Sequence, residues 1–209
     1  MLSDLQKRIL EISYKHKLSH LGSSLSCLKI LEHIYEKRMS NEPVILSCGH
    51  AALALYCVLE KYENQDAENL IEVCGVHPVK NKNLGIWCST GSLGMGITVA
   101  VGRALADPKR NVWCVISDGE MYEGAVYESL MFVKENNIKN LRIFLNHNEY
   151  GAYKSVKSLF PIDCFPCVEV ISQSIESLKI PFLSGQDAHY YTMNEQDWKW
   201  VQKNYEKTI

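Results

Sequence analysis

Ser117-Asp118-Gly119-Glu120-Met121-Tyr122-Glu123-Gly124, followed thirty positions after its aspartate by Asn146-His147-Asn148, is the stretch whose reading decides the fold. Each segment closes a strongly apolar run, Asn111-Val-Trp-Cys-Val-Ile116 before the first and Asn140-Leu-Arg-Ile-Phe-Leu145 before the second. Between them lies a helix-length stretch, Met121 to Asn137. A strand, a crossover of this length and a second strand make a β-α-β unit with parallel strands. Asp118 and Asn148 then emerge side by side at the carboxyl edge of one sheet, where open α/β folds bind ligands. One carboxylate and one amide oxygen form an all-oxygen half-site for a hard divalent cation, Mg²⁺ or Ca²⁺, which would hold phosphate oxygens. The plainer alternative is that Asp118 only caps the helix that follows it.

Outward from this unit the pattern is mixed helix and strand. Ser3 to Lys17 carries Leu5, Ile9, Leu10, Ile12 and Leu18 at helical spacing behind a capping serine. His20-Leu-Gly-Ser-Ser24 interrupts that period, which resumes from Leu25 to Lys37. Pro43-Val-Ile-Leu-Ser47 predicts a short buried strand and Gly49 to Lys61 a helix. Asn64 to Asn83, with Gly75 and Pro78, reads as an ordered loop around one helical turn. Gly91-Ser-Leu-Gly-Met-Gly96 opens a helix that Asp107-Pro108 ends. Small residues there let a ligand or a backbone approach, and free N–H groups at a helix start attract anions. Close helix packing alone explains the same spacing. Beyond Gly151 the chain offers a short strand at Cys167–Ile171 and a last helix from Asn194 to Tyr205. With no internal repeat, low-complexity tract or long linker, residues 1–209 are expected to form a single α/β domain.

Composition narrows the function classes. A formal charge of −2 with interspersed signs leaves no footprint for nucleic acid or an anionic membrane. The apolar runs are strand-sized, so no membrane span is expected. The amino-terminal amphipathic helix is not a signal peptide, and eight cysteines then read as reduced thiols of a cytoplasmic protein. Cys164-Phe-Pro-Cys167 has no second pair at zinc-ribbon spacing and reads as part of a packed loop.

Four histidines fall in turns: His20 before Gly22, His50 after Gly49, His77 before Pro78 and His189 after Ala188. One such histidine is ordinarily structural. Four at element edges point to convergence on one polar site, as donors to an anionic substrate or intermediate. His16, His33 and His147 lack that setting. Glu120 and Glu123 sit in a first helical turn, where the helix dipole favours acids in any case.

Together these segments resemble the thiamine-diphosphate-binding half of a transketolase. The superfamily fingerprint Gly-Asp-Gly, with an asparagine-containing end some thirty residues later, stands here as Ser117-Asp118-Gly119 and Asn146-His147-Asn148. His20-Leu-Gly-Ser-Ser-Leu25, Leu46-Ser-Cys-Gly-His-Ala51, Gly91-Ser-Leu-Gly-Met-Gly96 and Ala188-His189-Tyr190 are similar to further family segments, in the family's order. The resemblance implies a Rossmann-like, three-layer α/β/α parallel sheet, the thiamine-diphosphate-binding fold. It implies that Asp118, Asn148 and the Tyr150 carbonyl ligate Mg²⁺ or Ca²⁺ on the diphosphate of thiamine diphosphate. Gly91, Leu93, Gly94, Gly119 and Glu120 would shape the cofactor pocket, with Glu123 beside it at a subunit contact. His20, His50, His77 and His189 would line the substrate channel.

The implied reaction moves a two-carbon ketol unit from a ketose or ketose phosphate to an aldose. Two departures stand out: Ser117 replaces the first glycine of the fingerprint, and the segment between Tyr150 and His189 is shorter than in typical relatives. A C-terminal transketolase subunit would supply the pyrimidine-binding domain and the activating glutamate, in a heterotetramer of the α2β2 kind. The competing readings are the α subunit of a 2-oxo-acid dehydrogenase or decarboxylase, which shares the cofactor motif, and a non-catalytic scaffold subunit.

Overall fold

In the computed structural model, which describes residues 2–151, 154–156, 158–159, 162–184 and 189–204, four parallel strands build one sheet. They are β1 (Val44–Leu46), β2 (Val112–Ser117), β3 (Leu141–His147) and β4 (Val168–Ser172), in the order β1-β2-β3-β4. The register sets Ser117 opposite Asn146. Every residue of β2 is buried, which is why it reads as an unbroken apolar run: a central parallel strand is covered on both faces.

Side chains alternate between those faces. Val44, Leu46, Trp113, Val115 and Phe144 pack under α1 (Asp4–His16), α2 (Leu21–Lys37), α3 (Ala52–Glu63) and α4 (Ala67–Cys74). Ile45, Cys114, Ile116, Ile143 and Leu145 pack against α5 (Met95–Ala106) and α6 (Gly124–Glu135). The expected three-layer α/β/α sandwich is therefore present. The last helix, α7 (Glu195–Lys203), starts on an Asn194–Asp197 capping box and stacks Trp198 on Tyr14 of α1, ring centroids 5.3 Å apart. Tyr205 lies outside the described residues.

Chain path explains where a ligand fits. After β1 the chain turns into α3 on one face, and after β2 it turns into α6 on the other. Neighbouring strands whose connections leave to opposite faces open a crevice at their carboxyl ends.

Several expected boundaries differ. The segment 21–24 is no interruption: α2 begins at Leu21, and Gly22, Ser23 and Ser24 are buried within it. Gly22 lies so close to Ile175 that a Cβ would collide, so these small residues form a packing face without the large apolar groups that mark a helix in sequence. The stretch after Asn64 holds a two-turn helix, α4, capped by Asp66 and anchored by Ala67, Leu70 and Cys74. The helix expected from Met121 is split into a 3₁₀ turn (Gly119–Tyr122) and α6, with Glu123 extended between them. A 3₁₀ turn (Gly49–Ala51) likewise precedes α3. No helix among the described residues is long and apolar enough to cross a membrane, and all eight cysteines are free thiols.

Candidate active site

The two strand ends meet as the spacing requires. Asp118 is wholly buried, and its Oδ2 accepts the N–H groups of Asn148 (3.0 Å) and Glu149 (2.7 Å). Its Oδ1 accepts the N–H of Gly119 at 2.9 Å, so it also caps the 3₁₀ turn. The capping reading of this aspartate therefore holds. Burial pushes its carboxyl up to about 6, against the downward pull of these N–H bonds. Asn148 accepts the Tyr150 N–H on Oδ1 (2.9 Å) and donates from Nδ2 to Ser26 Oγ (3.1 Å). Ser26 Oγ also accepts Asn146 Nδ2 (3.0 Å) and donates to the Ser23 carbonyl (3.2 Å). The hydroxyl thereby fixes which way both amides face. Among the described residues no three His, Cys, Asp or Glu side chains are grouped to hold a metal. A cation at this edge needs the amide and backbone oxygens as well.

Glu120 has a different place from the one its motif implies. It is fully buried and does not line the cleft. Its Oε1 accepts Ser47 Oγ (2.7 Å) and the Gly94 N–H (2.8 Å), and its Oε2 accepts the Ser117 N–H (3.0 Å). Ser47 Oγ in turn accepts the Ile97 N–H at 3.2 Å. One carboxyl thus ties the end of β1, the start of α5 and the end of β2. Two N–H groups at the α5 start, on Gly94 and Ile97, are occupied by protein oxygens and are not free for an anion. Gly94 has φ +79°, a left-handed conformation that favours glycine, and a Cβ there would stand only 3.0 Å from the Glu123 Cβ. Glu123 is exposed at the head of α6.

His20, His50, His77 and His189 come from four separate segments and do converge. Ring centroids lie 5.7 Å apart for His20–His50, 6.1 Å for His20–His77, 4.6 Å for His20–His189 and 5.7 Å for His50–His189. The His20 N–H donates to the His189 carbonyl at 3.0 Å, joining the two ends of the chain. His20 sits at φ 61°, unusual for a side-chain-bearing residue and the kind of local strain found at functional sites. These four line a cleft of 150 Å³ with Gly91, Leu93, Ser117, Gly119, Tyr150, Gly151 and Tyr190. Burial, reinforced by the neighbouring imidazoles, brings His50 down to about 3 and His20 to about 4; burial lowers His189 too. These three are neutral at pH 7. A neutral imidazole can both donate and accept a hydrogen bond without carrying charge.

A larger hollow of 650 Å³ lies at the opposite, amino ends of β3 and β4, near Arg142 and Glu169. It gathers none of the strand-end or histidine groups. Ser26, Ser47 and Tyr190 escaped the sequence reading. Ser26 and Ser47 stand in segments singled out for other residues, and a serine's partners are invisible in sequence.

Residues 63–165 match the family model described as thiamine pyrophosphate enzyme, C-terminal TPP binding domain. A transketolase from Pichia stipitis superposes over 79% of this chain and 30% of its own, with a TM-score of 0.64 at 22% identity. The chain has the thiamine-diphosphate-binding α/β fold. It is also 31% identical over 177 residues to one of the subunits of the apulose-4-phosphate transketolase of Phocaeicola vulgatus, covering 74% of this chain and 63% of that one. To the 6-deoxy-6-sulfo-D-fructose transketolase subunit SqwG of a Clostridium species it is 30% identical over 182 residues, covering 76% and 66%. The chain thus spans just under two thirds of the length of these two proteins.

In the thiamine-diphosphate fold the residues present suit a diphosphate held by a dication. Asp118 and Asn148 offer hard oxygen donors at adjoining strand ends. Gly91 passes so close to the His77 ring, 3.3 Å from where a Cβ would stand, that only glycine leaves the wall smooth there. Among the described residues, the buried Ser117 Oγ has no hydrogen-bond partner.

Proposed function

We propose that this chain is the N-terminal, diphosphate-binding subunit of a split transketolase, transferring a two-carbon ketol unit from a ketose or ketose phosphate to an aldose. The convergence of four histidines on the cleft beside the Asp118–Asn148 strand ends carries this reading. When bound, thiamine diphosphate supplies the electron sink for breaking a carbon–carbon bond, which protein side chains lack.

The chain's own residues bind and orient. Asp118, Asn148 and the Tyr150 carbonyl hold Mg²⁺ or Ca²⁺, and Gly91, Leu93 and Gly119 shape the wall. Glu120 acts through others, keeping Gly94 and the Ser117 N–H in place. His20, His50 and His189, neutral at pH 7, suit sugar hydroxyls, because a neutral imidazole gives a proton at one ring nitrogen and takes one at the other. His77 completes the ring of donors.

A partner chain supplies the pyrimidine-binding domain and its activating glutamate, in an α2β2 assembly with Glu123 near the contact. The relatives from Phocaeicola vulgatus and Clostridium are both subunits by name. Apolar side chains exposed on α5 (Met95, Val99, Leu105) and α6 (Met131, Phe132) support an interface on that face.

The test is reconstitution. The chain mixed with a pyrimidine-domain partner, thiamine diphosphate and Mg²⁺ is offered fructose-6-phosphate, apulose-4-phosphate, 6-deoxy-6-sulfo-D-fructose and pyruvate. Ketol transfer from at least one sugar, absent with the chain alone, is expected. Turnover of pyruvate in preference to every sugar favours the 2-oxo-acid reading, activity of the chain alone removes the need for a partner, and an assembled complex that binds no cofactor leaves the scaffold reading.

A further inference from the structure

Ser117 stands at a position where the resemblance leads one to expect glycine. The residue is 4% exposed, and among the described residues its Oγ has no hydrogen-bond partner. Alternation along β2 puts it on the face of Trp113 and Val115, toward the histidines and away from α5 and α6. It lines the 150 Å³ cleft. Its Oγ lies 3.9 Å from where a Cβ would stand on Gly119, so no side chain from that neighbour covers it. The backbone is not free to carry the hydroxyl elsewhere, because the Ser117 N–H is held by Glu120 at 3.0 Å.

A buried hydroxyl with no partner is a cost that folded proteins seldom keep without a use. The described lining of the cleft includes no lysine or arginine. An anion entering there depends on a cation and on N–H and O–H donors. Phosphate oxygens only accept, and a serine hydroxyl can donate. We propose that the Ser117 hydroxyl donates a hydrogen bond to a diphosphate oxygen of the cofactor, making Ser117 an affinity-determining residue for phosphorylated thiamine. The proposal rests on the thiamine-diphosphate reading of the site. The competing explanation is a buried water bridging Ser117 Oγ to Asn146 Oδ1, its register neighbour, which is also buried and has no partner among the described residues.

Calorimetric titration of the chain and of its complex with the partner protein, using thiamine diphosphate at saturating Mg²⁺ and thiamine as the phosphate-free control, separates these cases. Ser117→Ala and Ser117→Gly are both expected to weaken thiamine diphosphate binding about tenfold and to leave thiamine binding unchanged. The Tm of free Ser117→Ala should stay level or rise, since an unpaired hydroxyl has been removed. Binding of both variants within about twofold of wild type overturns the proposal. So does tighter binding by Ser117→Gly, which would make the hydroxyl an obstruction. A lower Tm for Ser117→Ala with unchanged affinity assigns the hydroxyl to the water bridge. Wild type that binds no thiamine diphosphate in either form defeats the cofactor reading itself, a result distinct from unchanged variants.

Discussion

Burying an imidazole away from any counter-charge makes its proton costly, and His50 shows this most strongly. His20, His77 and His189 face it across the cleft, and no carboxylate lines that cleft among the described residues. Its folded-state value near 3 lies below the unfolded value of 6.5, so between those limits the unfolded chain binds more protons. The stability this group contributes is complete above pH 6.5 and is lost as pH falls toward 3. Asp118, raised to about 6, titrates with the opposite sign: its contribution is complete below 3.8 and is lost as pH rises through 6. Comparing wild type with His50→Gln cancels Asp118. Thermal melts from pH 7 to pH 4.5 should show a smaller acid-induced fall in Tm for the variant; identical falls would mean that His50 is solvated. A second expectation concerns the strand-end pair. Asp118→Ala should lower Mg²⁺-dependent thiamine diphosphate affinity by about 100-fold or more, measured by calorimetry, because it removes the anionic oxygen donor.

At the scale of elements, one carboxyl group, that of Glu120, ties β1, β2 and the start of α5 together. Glu120→Ala leaves the Ser47 hydroxyl and the Gly94 and Ser117 N–H groups without their acceptor. Each buried donor left unpaired costs about 1–3 kcal/mol, so a loss of about 3 kcal/mol or more is expected in urea denaturation. Glu120→Gln keeps one acceptor oxygen and should cost less. Helix α5 meets β1 at Gly96, where a Cβ would stand 2.5 Å from the Ser47 Cα. Gly96→Ala must therefore push the helix off the strand, at about 1–3 kcal/mol, with weaker cofactor binding because the Glu120 bonds to Gly94 and Ser47 stretch together. A melting temperature equal to wild type would show that α5 gives way freely.

Over the whole molecule, ligand binding and folding are linked. The strand ends, the α5 start and the histidine segments belong to separate stretches of chain, and whatever bridges them binds only the folded form. Thiamine diphosphate with Mg²⁺ at about 100 times the dissociation constant should add about 2.7 kcal/mol of stability, a Tm rise of roughly 5–10 °C for a chain of this size. A chelator should reverse it. A rise that survives chelation would remove the metal from the reading.

The β-α-β unit, the parallel strands and the meeting of Asp118 with Asn148 were legible in sequence because they depend on local periodicity and on the fixed geometry of a crossover. The four turn histidines were legible as candidates for the same reason: turns declare themselves through glycine and proline. Three things were not. That α2 runs through Gly22-Ser23-Ser24 depends on Ile175, more than 150 positions away. That Glu120 points inward to Ser47 and Gly94 depends on where β1 and α5 come to lie. That Ser26 orients both Asn146 and Asn148 depends on α2 crossing β3. Hydrogen bonds between residues distant in sequence leave no periodic trace, and a polar side chain carries no mark of its partner. The sequence by itself determined the fold class and the residues at the strand ends; only tertiary packing decided which polar groups support the site, which face the cleft, and which buried hydroxyls have no partner among the described residues.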